Sequence, residues 1–159
     1  AQLAELPCDS DVYVAFTAQE EVGLRGAQTV AFAIQPEYAI AVDVTDTGDL
    51  PERKYPMAVK MGEGPAVKIM DHSVICDQQV KQTLYRVAQE NDIPVQREIM
   101  EFGGTDTGAI QRTAGGVKVG AVSIPTRYIH SAAEMANLRD VEQAIRLIAH
   151  AVSDGMDKT

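Results

Sequence analysis

Residues 12–44 read VYVAFTAQEEVGLRGAQTVAFAIQPEYAIAVDV, and this stretch decides the fold class. VYVAFTA (12–18) is short, apolar and rich in residues that suit a pleated surface, so it reads as a strand. LRGAQTVAFAI (24–34) is Ala-rich and apolar enough for a helix packed on a sheet. EYAIAVDV (37–44) is a second buried-strand candidate. Strand, helix and strand in succession make a unit of an α/β protein.

The same alternation continues downstream. AVKIMD (66–71) reads as a strand, after a Gly- and Pro-punctuated stretch over 45–65 that reads as a long loop. In 76–93, Val80, Leu84, Val87 and Ala88 recur at helical spacing, and Pro94 stops the helix. VQREIME (95–101) is a strand. A short helix is expected over 106–113, ended by Gly115 and Gly116, and then a strand in VKVGAVSIP (117–125). The last helix is expected over 138–154, where Val141, Ala144, Ile145, Ile148, Ala149 and Val152 form one apolar stripe. The pattern predicts a mostly parallel sheet with helices on both faces, a three-layer α/β sandwich. Ligands in such sheets bind beyond the carboxyl ends of the strands.

The 159 residues suit one domain, and 45% hydrophobic with 23% charged residues is the balance of a globular chain rather than a disordered one. A net charge of -9 disfavours nucleic acid and anionic membrane as partners. No apolar run approaches the ~20 residues that span a bilayer. Cys8 and Cys76 are far apart and lack CxxC spacing, which argues against a structural zinc knuckle or a disulfide scaffold and suits a reduced, cytoplasmic protein. AQLAELPCDSD at the start has neither a basic region nor an apolar core, so it does not read as a signal peptide; it resembles the end of a helix and a turn inside a larger domain.

Four places carry candidate chemistry. Glu20 and Glu21 follow the first apolar run; adjacent carboxylates repel, so together they suit a cation and a base, or else an exposed helix start. Asp43 closes an apolar run, where a charge is costly unless it is paired, ligates a metal or caps the next turn. His130 follows the strand ending at Pro125; with Asp and Glu it would suit zinc, cobalt or manganese, although a lone His is more often structural. Gly103, Gly104, Thr105 and Asp106 stand between a strand and a helix and either let backbone approach a ligand or form a plain turn. His72, in a loop, and His150, in the last helix, read as non-catalytic. No GxSxG nucleophile elbow occurs.

FTAQEEVGLRGA, AIAVDVT, GEGPAVKIMD, EFGGTDTGAI and SIPTRYIHSAAEM, in this order, resemble the glutamyl and tetrahedral aminopeptidases, a family of cytosolic dinuclear metallopeptidases. The resemblance runs from about Cys8 to about Val152. It implies a zinc-peptidase-like fold and a hydrolase that releases N-terminal residues from peptides, using two divalent ions per complete site, zinc or cobalt foremost. It implies Glu20 as general base, Glu21 and His130 as ligands of one metal and Asp43 as a ligand of the other. The 103–106 segment would wall the substrate pocket. The family's early His-x-Asp motif and bridging Asp have no counterpart here, nor does its dimerisation domain. The expectation is therefore residues 1–159 as the C-terminal part of a catalytic domain, incomplete at the N-terminus, weak or inactive alone, whose parent is a homo-oligomer and whose partner is the missing N-terminal part. The alternatives are a non-enzymatic fragment or assembly piece, or a related metal-dependent carboxypeptidase or deacylase.

Overall fold

The computed structural model describes residues 2–51 and 55–156. In chain order the elements are α1 (Gln2–Glu5), α2 (Arg25–Ile34), β1 (Tyr38–Asp46), β2 (Ala66–Met70), α3 (Gln78–Glu90), β3 (Gln96–Ile99), α4 (Asp106–Gln111), β4 (Lys118–Arg127), β5 (Met135–Ala136) and α5 (Leu138–Asp154). The sheet order is β1-β4-β2-β3, with β5 on the end of β4. β1 and β4 pair in parallel along their length, from Tyr38 opposite Lys118 to Asp46 opposite Thr126. β2 and β3 are also parallel, but β2 joins β4 antiparallel through Ala66 and Val67. The sheet is thus mostly parallel, with one reversal at its centre.

Side-chain parity sorts the layers. Val67 and Val122 face Val80, Leu84 and Val87 of α3 and Ala144, Leu147 and Ala151 of α5 in the larger apolar cluster. Val119 and Ala39 face the opposite way, toward Ile110 of α4, which packs beside α2. Asp43 and Thr45 share the parity of Ala39 and so belong to the α2/α4 face.

Local chemistry explains the helix limits. Asp77 caps α3 by accepting from the amides of Gln79 at 2.8 Å and Val80 at 3.3 Å. Asn137 caps α5 through the amide of Arg139 at 2.9 Å. The buried face of α5 differs from the expected stripe. Asp140, Leu147 and Ala151 lie deepest, while Ile145 is 48% exposed. α5 packs on both α3 and the sheet, so its buried face turns toward α3 and leaves Ile145 outside.

The expected strand over 12–18 is a correction. These residues pair with no strand among the described residues, and Tyr13, Val14 and Phe16 are exposed. Sequence supplied the propensity, but a strand exists only where a neighbour takes up its N–H and C=O groups. Nor is the outer edge of β1 paired within the described residues, and Val42 and Val44 on it are exposed.

The long connection after β1 is fixed at several points. Gly48 N–H donates to Val59 O at 2.7 Å, closing its neck. Arg127 forks onto Asp49, with Nη2 at 2.5 Å and Nε at 3.3 Å from the two carboxylate oxygens. The turn before β2 hangs on Asp140, 1% exposed, which accepts from the amides of Gly62 at 2.7 Å and Gly64 at 2.9 Å. Gly64 has φ +94°, and a Cβ there would fall 2.2 Å from Pro94 O, so only glycine fits.

Two expectations follow. Asp140→Ala leaves two amides without their acceptor, which costs about 2–4 kcal/mol and lowers Tm by roughly 5–15 °C in a thermal melt. The Arg127 guanidinium holds the Asp49 carboxyl down at about 2, from an ordinary 3.8. A depressed folded-state value means stabilisation that is complete above the ordinary value and lost as pH falls through the folded one. Asp49→Asn therefore lowers Tm by roughly 2–4 °C near neutral pH, and its difference from the wild type vanishes between about pH 4 and pH 2.

Candidate active site

Two turns meet on the α2/α4 side of the sheet. The first carries Glu20 and Glu21 into α2. Leu24 N–H donates to Glu20 O at 2.9 Å and Gly26 N–H to Ala18 O at 2.9 Å. A Cβ on Gly26 would stand 2.4 Å from Ala18 N, so glycine is what lets α2 start against this turn. The second turn follows β4 and carries His130, whose amide donates to Glu134 Oε1 at 2.6 Å. Gln19, Leu24, Tyr128 and His130, all non-glycine, have φ between 57° and 60°. Left-handed backbone of this kind costs of order 1 kcal/mol per residue and is retained where the surroundings impose it. Here it concentrates on the two turns that bear the candidate residues.

The geometry brings Glu20, Glu21, Asp43 and His130 into one neighbourhood. His130 Nε2 lies 3.3 Å from Glu21 Oε1, and both side chains are largely exposed. Burial pushes the Glu20 carboxyl up, and the negative charges of Asp43, Glu21 and Asp106 push it further, against a smaller opposing effect of His130. Asp43 is also raised, first by burial; the Val44 amide, donating to its Oδ1 at 2.7 Å, opposes this, Asp106 adds to it and Lys68 opposes it. Asp106 thus belongs to the same field. Its Oδ2 accepts from Thr17 Oγ1 at 2.6 Å, which ties the first turn to α4.

Of the 103–106 segment, Gly103 and Gly104 are exposed, and Gly104 runs against Ser73. The Thr105 hydroxyl turns inward, 3.2 Å from Asp71 Oδ2 and 2.9 Å from the Thr107 hydroxyl. Asp43 and His130 lie at or beyond the carboxyl ends of β1 and β4. The 103–106 segment follows β3, which runs the other way, and Glu20 follows no strand, so the carboxyl-end rule holds for half of the group. His72 is exposed in a loop, and His150 lies on α5, across the sheet.

The donor chemistry suits a divalent cation in part. Two donors about 2.0–2.1 Å from one tetrahedral zinc stand roughly 3.3–3.4 Å apart, which is the Glu21–His130 separation. Clustered carboxylates that raise one another's proton affinity are also relieved by a cation. Among the described residues, however, no three His, Cys, Asp or Glu side chains converge as a ligand set.

Behind the site lies a cluster that the sequence reading missed. Lys68 Nζ is 2.5 Å from Glu98 Oε1 and 3.6 Å from Asp71 Oδ2, and all three side chains are at most 1% exposed. The signal was available for Lys68, a charge inside the otherwise apolar strand AVKIM and costly without a partner, but not for Glu98, which stands among the polar residues of QREI.

Comparison with known proteins gives the chain's relatives. Residues 1–147 match the family described as M42 glutamyl aminopeptidase. A putative aminopeptidase of Acetivibrio thermocellus is 54% identical over 144 residues, which cover 91% of this chain and 43% of that protein. The aminopeptidase APDkam598 from the archaeon Desulfurococcus kamchatkensis superposes with a TM-score of 0.92 at 39% identity, over 97% of this chain and 44% of that one. The Pyrococcus horikoshii TET1 peptidase, which can assemble into a tetrahedron or a large octahedral shell, gives a TM-score of 0.72 at 36% identity, over 86% of this chain and 39% of that one. The chain spans less than half the length of these relatives. With that extent of match, and with the zinc-peptidase-like sheet in place, the chain belongs to the M42 glutamyl aminopeptidase family.

Proposed function

We propose that this chain carries part of the active site of a metal-dependent aminopeptidase, with Glu20 as general base. Glu21 and His130 would hold one divalent ion, zinc or cobalt, and Asp43 would contribute to a second. The observation that carries this reading is the 3.3 Å Glu21–His130 pair beside a Glu20 carboxyl whose proton affinity is raised by burial and by Asp43. A bound cation would supply Lewis acidity toward the scissile carbonyl and toward the attacking water. Glu20 would accept the proton of that water and return it to the leaving amine; a raised carboxyl suits this, since a base works best with a pKa near the working pH. Gly103, Gly104 and Asp106 would wall the peptide site, with Thr105 fixing the segment from behind.

We place residues 1–159 as the C-terminal part of a catalytic domain, with the remaining ligands supplied by a further part of the polypeptide, which is the partner this reading requires. A homo-oligomeric, cytoplasmic parent is the corresponding assembly, in keeping with relatives that form shells and with two free cysteines. No helix among the described residues is long and apolar enough to cross a membrane. The second reading, a folded piece without activity of its own, is favoured for the 159 residues alone by the incomplete ligand set.

Two outcomes are expected. The 159-residue chain hydrolyses leucine- and glutamate-anilides weakly or not at all with zinc or cobalt added, and addition of the remainder of the domain restores turnover; robust hydrolysis by the chain alone would overturn the ligand assignment. In the restored enzyme Glu20→Gln lowers kcat by roughly 10²–10⁴-fold while metal content, measured by atomic emission, stays unchanged. Loss of metal in that variant would make Glu20 a ligand instead of a base.

A further inference from the structure

The buried Lys68 cluster lies between β1, which bears Asp43, and the 103–106 segment, which is tied to the turn of Glu20 and Glu21. On one side Glu98 Oε1, held by Lys68, accepts from the hydroxyl of Thr45 at 2.9 Å. Thr45 follows Asp43 by two positions on the same face of β1. On the other side Asp71, also facing Lys68, accepts from Thr105 at 3.2 Å; the next residue, Asp106, holds Thr17, and Thr17 precedes Glu20 by three residues. Two paths of ion pairs, hydrogen bonds and short stretches of backbone therefore leave one ammonium, one reaching Thr45, two residues after Asp43, and the other reaching Thr17, three residues before Glu20.

We infer that Lys68 is a positioning residue that sets the separation between Asp43 and the Glu20–Glu21 turn. A buried ion cluster is a poor way to gain stability, because desolvation offsets much of the attraction, and apolar residues of similar volume do as well or better. What it provides here is directional attachment. Val or Leu in place of Lys68, Glu98 and Thr45 would fill the space without fixing β1 against the 100–105 segment. The inference rests on the metal-site reading above, and its test separates the two.

The variant Lys68→Met/Glu98→Gln removes one positive and one negative charge, so the net charge near the site is unchanged while the links of Lys68 to Glu98 and Asp71 are lost. Asp71 keeps its bonds from Ser73 N and Oγ, each at 2.7 Å. Thr45→Val cuts only the β1 arm and carries the test if the double variant fails to fold. Zn²⁺ affinity is measured on the folded 159-residue chain by competition with a chromogenic chelator. The expected result is a roughly 10–100-fold weaker Zn²⁺ affinity in the double variant and a smaller loss in Thr45→Val. Affinities within about twofold of the wild type, in variants that melt cooperatively, overturn the inference, since distant sites without shared partners behave independently. If the wild-type chain alone binds no Zn²⁺, the ligands of the further part of the polypeptide are needed for binding, and positioning is read from thermal unfolding. The Tm losses of Lys68→Met/Glu98→Gln and Thr17→Val are then non-additive when combined if the network is continuous, and strict additivity overturns it.

Discussion

The parallel ladder between β1 and β4 is the constraint on which the rest depends. Asp43 stands opposite Ser123 in that register, and the chain leaving β4 reaches His130 a few residues later. A slip of one residue would turn Asp43 to the α3/α5 face and bring an apolar side chain to the site, because side-chain direction alternates along a strand. Apolar packing enforces the register: Val122 must meet the α3/α5 cluster and Val119 the α4 side. The chemistry on one face is thus held in place by the hydrophobic cores on both.

The candidate site is electrostatically frustrated in the isolated chain. Glu20, Asp43 and Asp106 each act unfavourably on at least one of the others, with His130 and Lys68 as partial compensation. Folding tolerates this because the first turn is tied by backbone hydrogen bonds, the second by the His130 amide on Glu134, and because the buried ammonium anchors the floor. Such locally unfavourable arrangements are held by the surrounding structure and recur where a ligand relieves them.

Much of the architecture was legible in the sequence. α5 begins and ends where its cap at Asn137 and its amphipathic period require, and α3 stops ahead of Pro94 for the same kind of local reason. β1, β2 and β4 announced themselves as apolar runs. What sequence could not supply was partnership. VYVAFTA has strand composition and no neighbour to pair with among the described residues. The antiparallel joint between β2 and β4 depends on which edges meet in space, which periodicity does not encode. At the site, Asp43 was readable as a charge at the end of an apolar strand. The closeness of His130 to Glu21 came from family resemblance, since no local spacing links residues so far apart. Lys68 was visible as a charge in an apolar strand, and only the β2–β3 register pairs it with Glu98.

The open side of β1 has a practical corollary for anyone handling this polypeptide. Among the described residues β1 pairs on one side only, so alternate residues between Ala39 and Thr45 direct backbone groups to the open edge near exposed Val42 and Val44, and YAIAVDVTD contains no lysine, arginine or proline to discourage a second strand. Edges of that length and polarity template strand addition between molecules. A further strand would add at this edge, and a lysine in place of Val42 or Val44 would discourage it while leaving Asp43 and Thr45, on the opposite face of β1, untouched.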